Sequence, residues 1–121
     1  MSNVNDFVSA VKSFVGTPYG VIGALPGVSL SCVGVPWCAM REINIPVRPI
    51  PSFSQSADGL LAELDFYAVG VETPEIGDIL AVIWKGEARH CMVISGKRGD
   101  ELLVVHASAE HRSVVEHALA K

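Results

Sequence analysis

The part of the chain from Gly77 onward contains four short runs rich in valine, isoleucine and leucine, at 77–84, 89–96, 101–108 and 113–119. Glycine and charged residues separate these runs. Short β-branched runs with such separators are typical of antiparallel strands joined by tight turns. The pattern therefore predicts an antiparallel β-meander, which limits the folds that are open to the rest of the chain.

The residues before the meander have the period of helices instead. Apolar side chains recur at steps of three and four residues at Val4, Phe7, Val8, Val11, Phe14 and Val15. They predict an amphipathic helix that starts near Asn3 or Asn5. Glycine, proline and serine in 16–31 predict a long loop. A second helix is predicted over about Val33–Ile43 and a third within 54–67. Helices followed by strands indicate an α+β fold, with a helical layer on one face of the sheet.

Length and composition exclude several classes of function. The 121 residues, half of them hydrophobic, are enough for one domain with a real core, and we expect a single domain over 1–121. The net charge is −4, and the sequence has no cluster of basic residues of the kind that binds nucleic acid. No apolar run approaches the roughly 18 residues of a membrane span. The N-terminus lacks the pattern of a signal peptide, so we expect synthesis in a cytoplasm.

Cys32 lies in the stretch GVSLSCVGVPWCAM (27–40), after the predicted loop and close to the start of the second helix. Pro36 restricts that start, because proline is tolerated in the first turn of a helix, where amide donors lack helical partners anyway. The chain has three cysteines and no CxxC pair, so neither a disulfide framework nor a zinc finger is expected. Cys32 is then a nucleophile, a metal ligand or a core residue.

A nucleophilic cysteine needs a partner that lowers its pKa. A free thiol is only a few per cent ionised near neutral pH, and a helix N-terminus stabilises an anion by about 0.3–1 kcal/mol, which is less than one pKa unit. A histidine has a larger effect, and His90 and His106 both lie inside predicted strands. If these strands pair about a turn near residue 98, His90 faces His106, and Cys91 points to the opposite side of the sheet.

These side chains form a candidate triad, with Cys32 as the nucleophile, His90 as the base and His106 as the acceptor that orients His90. Other interpretations stay open, because buried cysteines are most often inert packing and a histidine inside a strand is often a hydrogen-bonded core residue. We expect packing roles for Cys38 and Cys91, and surface positions for His111 and His117. The triad residues lack a standard ligand spacing, so we expect no metal and no cofactor.

Four blocks of the sequence resemble, in order, the NlpC-type cysteine peptidases (the NlpC and p-sixty family), especially the small cell-wall peptidases found among tailed-phage tail genes. The blocks are FVGTPYGVIG (14–23), SCVGVPWCAMRE (31–42), GDILAV with RHCMVI (77–94) and VVHASAEHRSVVEHAL (104–119). Each block alone is weak, but together they cover most of residues 7–119. The resemblance implies a papain-like α+β core.

The resemblance also implies roles for individual residues. It implies that Cys32 is the nucleophile, His90 the base and His106 the third member of the triad, and that Tyr19 lines the substrate site beside the nucleophile. Ser31 stands where the family usually carries an aspartate that helps to bind the amino group of the substrate. A serine at this substrate-binding position supplies no negative charge.

The activity implied is that of a thiol hydrolase that cleaves amide bonds in the peptide stems of peptidoglycan. Its substrate would be a cell-wall peptide, its partners phage tail or secretion-particle proteins, and its location the virion tail. The alternative is a catalytically weak or inactive structural or interaction module of such a particle with the same fold. A third hypothesis is acyl transfer or ester hydrolysis on a lipid, although the sequence has no evident amphipathic surface that would bind at a membrane interface.

Overall fold

The computed structural model describes residues 4–20, 24–45, 73–84 and 87–119. Within these ranges the elements are, in chain order, α1 (Val4–Ser13), β1 (Ala24–Leu25), β2 (Ser29–Leu30), α2 (Gly34–Glu42), β3 (Ile79–Trp84), β4 (Glu87–Arg98), β5 (Glu101–Ser108) and β6 (Ser113–Ala118). The helix predicted within 54–67 lies outside the described residues. The described elements form an α+β fold.

The four long strands form one antiparallel sheet in the order β3-β4-β5-β6, so each strand pairs with the next one along the chain. This arrangement is the predicted meander. The turn between β4 and β5 consists of Gly99 and Asp100, because Arg98 pairs with Glu101. Gly99 has a φ of 62°, a left-handed conformation that glycine adopts without steric cost and that two-residue hairpin turns require.

The predicted register between β4 and β5 is wrong by two residues. Val93 pairs with Val105 and Ile94 with Val104, and the ladder shifts between Ile94 and Gly96. Extending this ladder by one pair places Met92, rather than His90, opposite His106. An error of two positions changes the partner but not the face of the sheet, because side chains alternate with a period of two.

Helix α1 packs against α2 and β4. Its apolar face buries Phe7, Val8 and Val11, and Phe14 is buried just beyond its end. Val4 and Val15, which the periodicity places on the same face, are 55% and 45% exposed. Val4 is the first residue of α1, and Val15 lies beyond the end of α1 at Ser13.

Helix α2 is buried along most of its length, from Gly34 to Met40, and it contacts α1 and β1 within the hydrophobic core. Ser31 stabilises its start, since the Ser31 hydroxyl accepts a hydrogen bond from the Gly34 N–H at 3.0 Å. The Ser31 carbonyl accepts one from the Val35 N–H at 3.3 Å. These bonds close the turn that leads into α2 in the manner of an N-cap, and Pro36, as predicted, lies in the first turn of α2, which begins at Gly34.

The end of α2 is also defined by backbone hydrogen bonds. Asn44 has a φ of 66°, and its N–H donates to the Arg41 carbonyl, while the Ile45 N–H donates to the Met40 carbonyl. This pattern is a Schellman motif, in which a left-handed residue satisfies the last carbonyls of a helix. Both ends of α2 are therefore stabilised by residues outside it.

We expect Ser31→Ala to lower the free energy of unfolding by about 1 kcal/mol, the usual cost of losing a serine N-cap. The substitution leaves the buried Gly34 N–H without its acceptor. Urea denaturation of the variant and the unsubstituted protein measures the change. Ser9→Ala is the matched control, because Ser9 is exposed on α1 and alanine is the better helix former. Equal stability of the Ser31→Ala variant and the unsubstituted protein would contradict the capping role.

Candidate functional site

Cys32 lies between the small β1–β2 hairpin and the first turn of α2. Its side chain is 5% exposed. Because α2 begins at Gly34, Cys32 lies two residues before the helix, close to its N-terminal end, where the helix dipole favours an anion. The position of Cys32 therefore agrees with the prediction from Pro36.

The pKa of the Cys32 thiol is lowered to about 4. The largest cause is a hydrogen bond with the Cys91 thiol, and burial acts in the opposite direction. A hydrogen bond with His90 and the charge of His90 lower the pKa further. The favourable contacts outweigh burial, so Cys32 is a thiolate near neutral pH, the form in which a cysteine is nucleophilic.

The pKa of Cys91 is shifted in the opposite direction from that of Cys32. It is 1% exposed, and its pKa is raised well above the ordinary value by the hydrogen bond with Cys32, by burial and by the charge of Cys32. Its thiol donates to the Cys32 carbonyl oxygen at 3.0 Å. Cys91 has one proton to donate, and a thiolate is a stronger acceptor than a carbonyl, so ionisation of Cys32 favours donation to its sulfur.

His90 and Cys91 are consecutive residues of β4, and both interact with Cys32. Regular alternation would send them to opposite faces. The β3–β4 ladder, however, shifts between Val82 and Ile83, immediately beside the pair formed by Val82 and His90. Such a bulge bends the strand and increases its twist, which lets two neighbouring side chains of β4 reach the same thiol.

The structure brings His90 and His106 together, as the candidate triad requires. His90 Nε2 and His106 Nδ1 are 2.8 Å apart, and the two rings are nearly perpendicular, at 83°. Since Nε2 of His90 is engaged with His106, Nδ1 is the ring nitrogen left for the hydrogen bond with Cys32. The order of contacts is therefore Cys32, His90, His106, which is the order of a nucleophile, a base and an orienting residue.

His106 is neutral near neutral pH. Burial, followed by the charges of His90, His117 and His111, lowers its pKa to about 4, and its side chain is 8% exposed. A neutral imidazole has one donor and one acceptor nitrogen, so His106 can accept a hydrogen bond from His90 while it donates from its other nitrogen.

The partner of that other nitrogen is His117, which was not predicted from the sequence. His106 Nε2 is 2.8 Å from His117 Nε2, and His117 Nδ1 is 2.8 Å from the carbonyl oxygen of Ala118. His117 is exposed, as predicted, but it is also hydrogen-bonded to the buried histidine. His117 lies two residues after Val115, which pairs with His106 across β5 and β6. Residues two apart on a strand share a face, so this spacing was the one sequence feature that could have indicated the contact.

The two residues predicted to bind substrate are Tyr19 and Ser31. Tyr19 is half-buried against the core, and its backbone forms a bridge with Leu30, two residues before Cys32. Ser31 is fully buried, and its hydroxyl accepts the hydrogen bond from the Gly34 N–H. The Tyr19 backbone therefore lies beside the segment that leads to Cys32, whereas the Ser31 side chain is engaged in stabilising α2.

Cys38 and His111 lie where they were predicted, Cys38 in the core and His111 at the surface. Cys38 is 2% exposed, Trp37 is 3% exposed, and burial raises the pKa of the Cys38 thiol. His111 is exposed, and its Nδ1 is 2.9 Å from the Ser108 hydroxyl oxygen. Cys38 and Cys32 thus differ in ionisation although both are buried, and the contacts with β4 account for the difference.

The described residues contain no group of three or more metal-ligating side chains in a metal-binding arrangement. Among the same residues no helix has the length and apolar character needed to cross a bilayer. No family model matches the chain, and no curated protein sequence matches it at a significant level.

We expect Cys32 to react with iodoacetamide faster than Cys38 at about pH 6, because the thiolate is the reactive form. The Cys32 rate should stay level as the pH is lowered and should fall only as the pH approaches the thiol pKa of about 4. Mass spectrometry of the labelled peptides measures both rates in one sample. Equal rates at Cys32 and Cys38 would contradict the activation of Cys32.

We expect Cys91→Ala to raise the pKa of Cys32, since it removes the hydrogen-bond donor with the largest effect on that thiol. Cys91→Ser is the matched control, because it keeps a donor of similar size at the same position. The midpoint of the labelling rate against pH reports the pKa in each variant. The same midpoint for Cys91→Ala and the unsubstituted protein would exclude Cys91 as a stabiliser of the thiolate.

Proposed function

We propose that this protein is a thiol hydrolase with a papain-like NlpC-type core, and that it cleaves amide bonds in the peptide stems of peptidoglycan. The observation that carries the proposal is the series of contacts from Cys32 through His90 to His106. In this series the thiol pKa is lowered to about 4, and the two imidazoles are 2.8 Å apart. An ionised thiol beside an oriented imidazole is the arrangement needed for nucleophilic attack on an amide.

In the proposed reaction, the Cys32 thiolate attacks the carbonyl carbon of the scissile amide and forms a carbon–sulfur bond. The carbonyl electrons move onto oxygen, and the backbone N–H of Cys32, at the start of α2, is a donor for that oxyanion. His90 gives its Nδ1 proton to the leaving nitrogen as the carbon–nitrogen bond breaks. After the amine leaves, His90 deprotonates a water molecule that attacks the thioester carbon. The carbon–sulfur bond breaks, the carboxylic acid product leaves, and the Cys32 thiolate and His90 imidazolium are regenerated.

The resemblance of the sequence blocks around Tyr19, Cys32, His90 and His106 to wall peptidases supports peptidoglycan as the substrate class. The burial of the Ser31 hydroxyl in the helix cap bears on specificity. Neither a carboxylate nor a free hydroxyl at this position is available to bind a substrate ammonium group. We propose that the enzyme accepts stem peptides without requiring a free amino group next to the cleaved bond, and that it acts as part of a phage tail or a secretion particle.

The inactive-module alternative predicts a different state for Cys32. A module that has lost activity has no need for a thiolate, and burial raises the pKa of a thiol, as it does for Cys38, where burial outweighs the charge of Arg41. The lowered pKa of Cys32 therefore favours the hydrolase over the inactive module.

The decisive experiment is digestion of purified peptidoglycan, with mass analysis of the released fragments. We expect the unsubstituted protein to release peptide fragments with new amino and carboxyl termini, and Cys32→Ala to release none. Cys38→Ala is the control for general loss of a buried thiol and should retain activity. If the unsubstituted protein and Cys32→Ala gave the same fragments, the proposed mechanism would be wrong.

A further inference from the structure

We propose that His117 is a positioning residue for the same site, and that its contact with His106 determines which nitrogen of His90 carries the proton. This inference rests on the proposed function, because it assigns His117 a part in preparing the base. His117 would act through His106, without touching either Cys32 or the substrate.

The three histidines form a diagonal row across three consecutive strands. His106 pairs with Val115 on β6, and His117 lies two residues beyond Val115, on the same face. On β4, the extended ladder places Met92 opposite His106, and His90 lies two residues before Met92. Diagonal neighbours on one face are within reach of side chains as long as histidine. Each successive pair of rings is nearly perpendicular, at 83° and 80°.

The proton positions in this row follow from its last acceptor. The carbonyl oxygen of Ala118, 2.8 Å from His117 Nδ1, can only accept, so His117 Nδ1 carries a proton. In neutral His117 the lone pair is then on Nε2, and the hydrogen bond at 2.8 Å requires the proton on His106 Nε2. Neutral His106 has its lone pair on Nδ1, so His90 Nε2 is the donor at 2.8 Å.

This direction of donation leaves His90 Nδ1 as the free base. Nδ1 is the ring nitrogen that remains for the interaction with Cys32, because Nε2 is engaged with His106. When Nδ1 takes the thiol proton, His90 becomes an imidazolium, and its Nε2 still donates to His106. The row therefore accommodates both protonation states of His90 without reversing a hydrogen bond or turning a ring.

The opposite direction of donation would disable the site. If His106 carried its proton on Nδ1, His90 Nε2 would have to accept, and the neutral His90 would hold its proton on Nδ1. That tautomer cannot take a proton from Cys32, and an imidazolium at His90 would then place two N–H groups against each other. The acceptor nitrogen of His117 excludes this arrangement, because it stabilises His106 with its proton on Nε2.

The test compares His117→Phe with His117→Gln. Phenylalanine keeps a ring of similar size but has no acceptor, whereas the glutamine side-chain oxygen reaches a position similar to His Nε2 and can accept from His106. His111→Phe is the matched control, since His111 is also exposed near the same strands. The first readout is the tautomer of His90, measured by ¹H–¹⁵N correlation of the imidazole nitrogens.

The tautomer is measured in the Cys32→Ala background at about pH 8, well above the ordinary range of imidazole titration, so that no thiolate partner holds a second proton on His90. We expect His90 to be protonated on Nε2 with His117 or His117→Gln, and to show a substantial Nδ1-protonated population with His117→Phe. The same His90 tautomer in all three proteins would overturn the inference.

The second readout uses the protein with Cys32 intact. We expect His117→Phe to lower kcat for peptide hydrolysis about tenfold with little change in KM, and His117→Gln to recover most of that loss. His111→Phe should change kcat far less than His117→Phe, because the His111 ring is hydrogen-bonded to Ser108 rather than to His106. Unchanged kcat in His117→Phe would overturn the role of His117 while leaving the hydrolase intact. Absence of hydrolysis by the unsubstituted protein would instead overturn the proposed function, and the tautomer measurement would still decide the direction of donation.

Discussion

The contact between β4 and the segment immediately before α2 is the constraint on which the candidate site depends. The Cys91 thiol donates to the Cys32 carbonyl, and the neighbouring residue, His90, interacts with the Cys32 thiol. A nucleophile on a helix and a base on a strand are useful only if the two elements keep a defined distance. The Ser31 cap, the Schellman motif at Asn44 and the burial of α2 fix the helix, while pairing on both sides fixes β4.

The sequence was sufficient to predict the meander and the start of α2, because both depend on local chemistry. β-branched runs and turn residues specify the strands, and Pro36 restricts the helix start. Register depends on turns and bulges that the sequence marks weakly, which explains the error at His90 and Met92. The prediction that His90 and His106 share a face survived because the error was even. Exposure at Val4 and Val15 depends on where the neighbouring elements end, which periodicity does not show.

His117 was missed for a different reason. An exposed histidine near the end of a strand has no local feature that separates it from a solvated one. Its contact becomes visible only when the pairing of His106 with Val115 is known. The Ser31 hydroxyl is a similar case. The resemblance implies that the residue at this position binds substrate, whereas in the structure the hydroxyl accepts a hydrogen bond from the Gly34 N–H. In both cases the side chain's partner is a group brought close by the fold.

A neutral acceptor behind His90 suits a cysteine nucleophile for an electrostatic reason. A serine nucleophile is neutral at rest, so a carboxylate behind the base provides the charge that stabilises the imidazolium. In a thiolate–imidazolium pair the sulfur already provides that charge. A second anion near Cys32 would repel the thiolate and raise its pKa, and it would add a buried charge at the position of His106, which is 8% exposed.

A neutral imidazole supplies orientation without that cost, and hydrogen bonds that all point one way polarise one another. The row therefore stabilises the proton on His90 through aligned dipoles that end at a backbone carbonyl, and it leaves the negative charge of the site on sulfur.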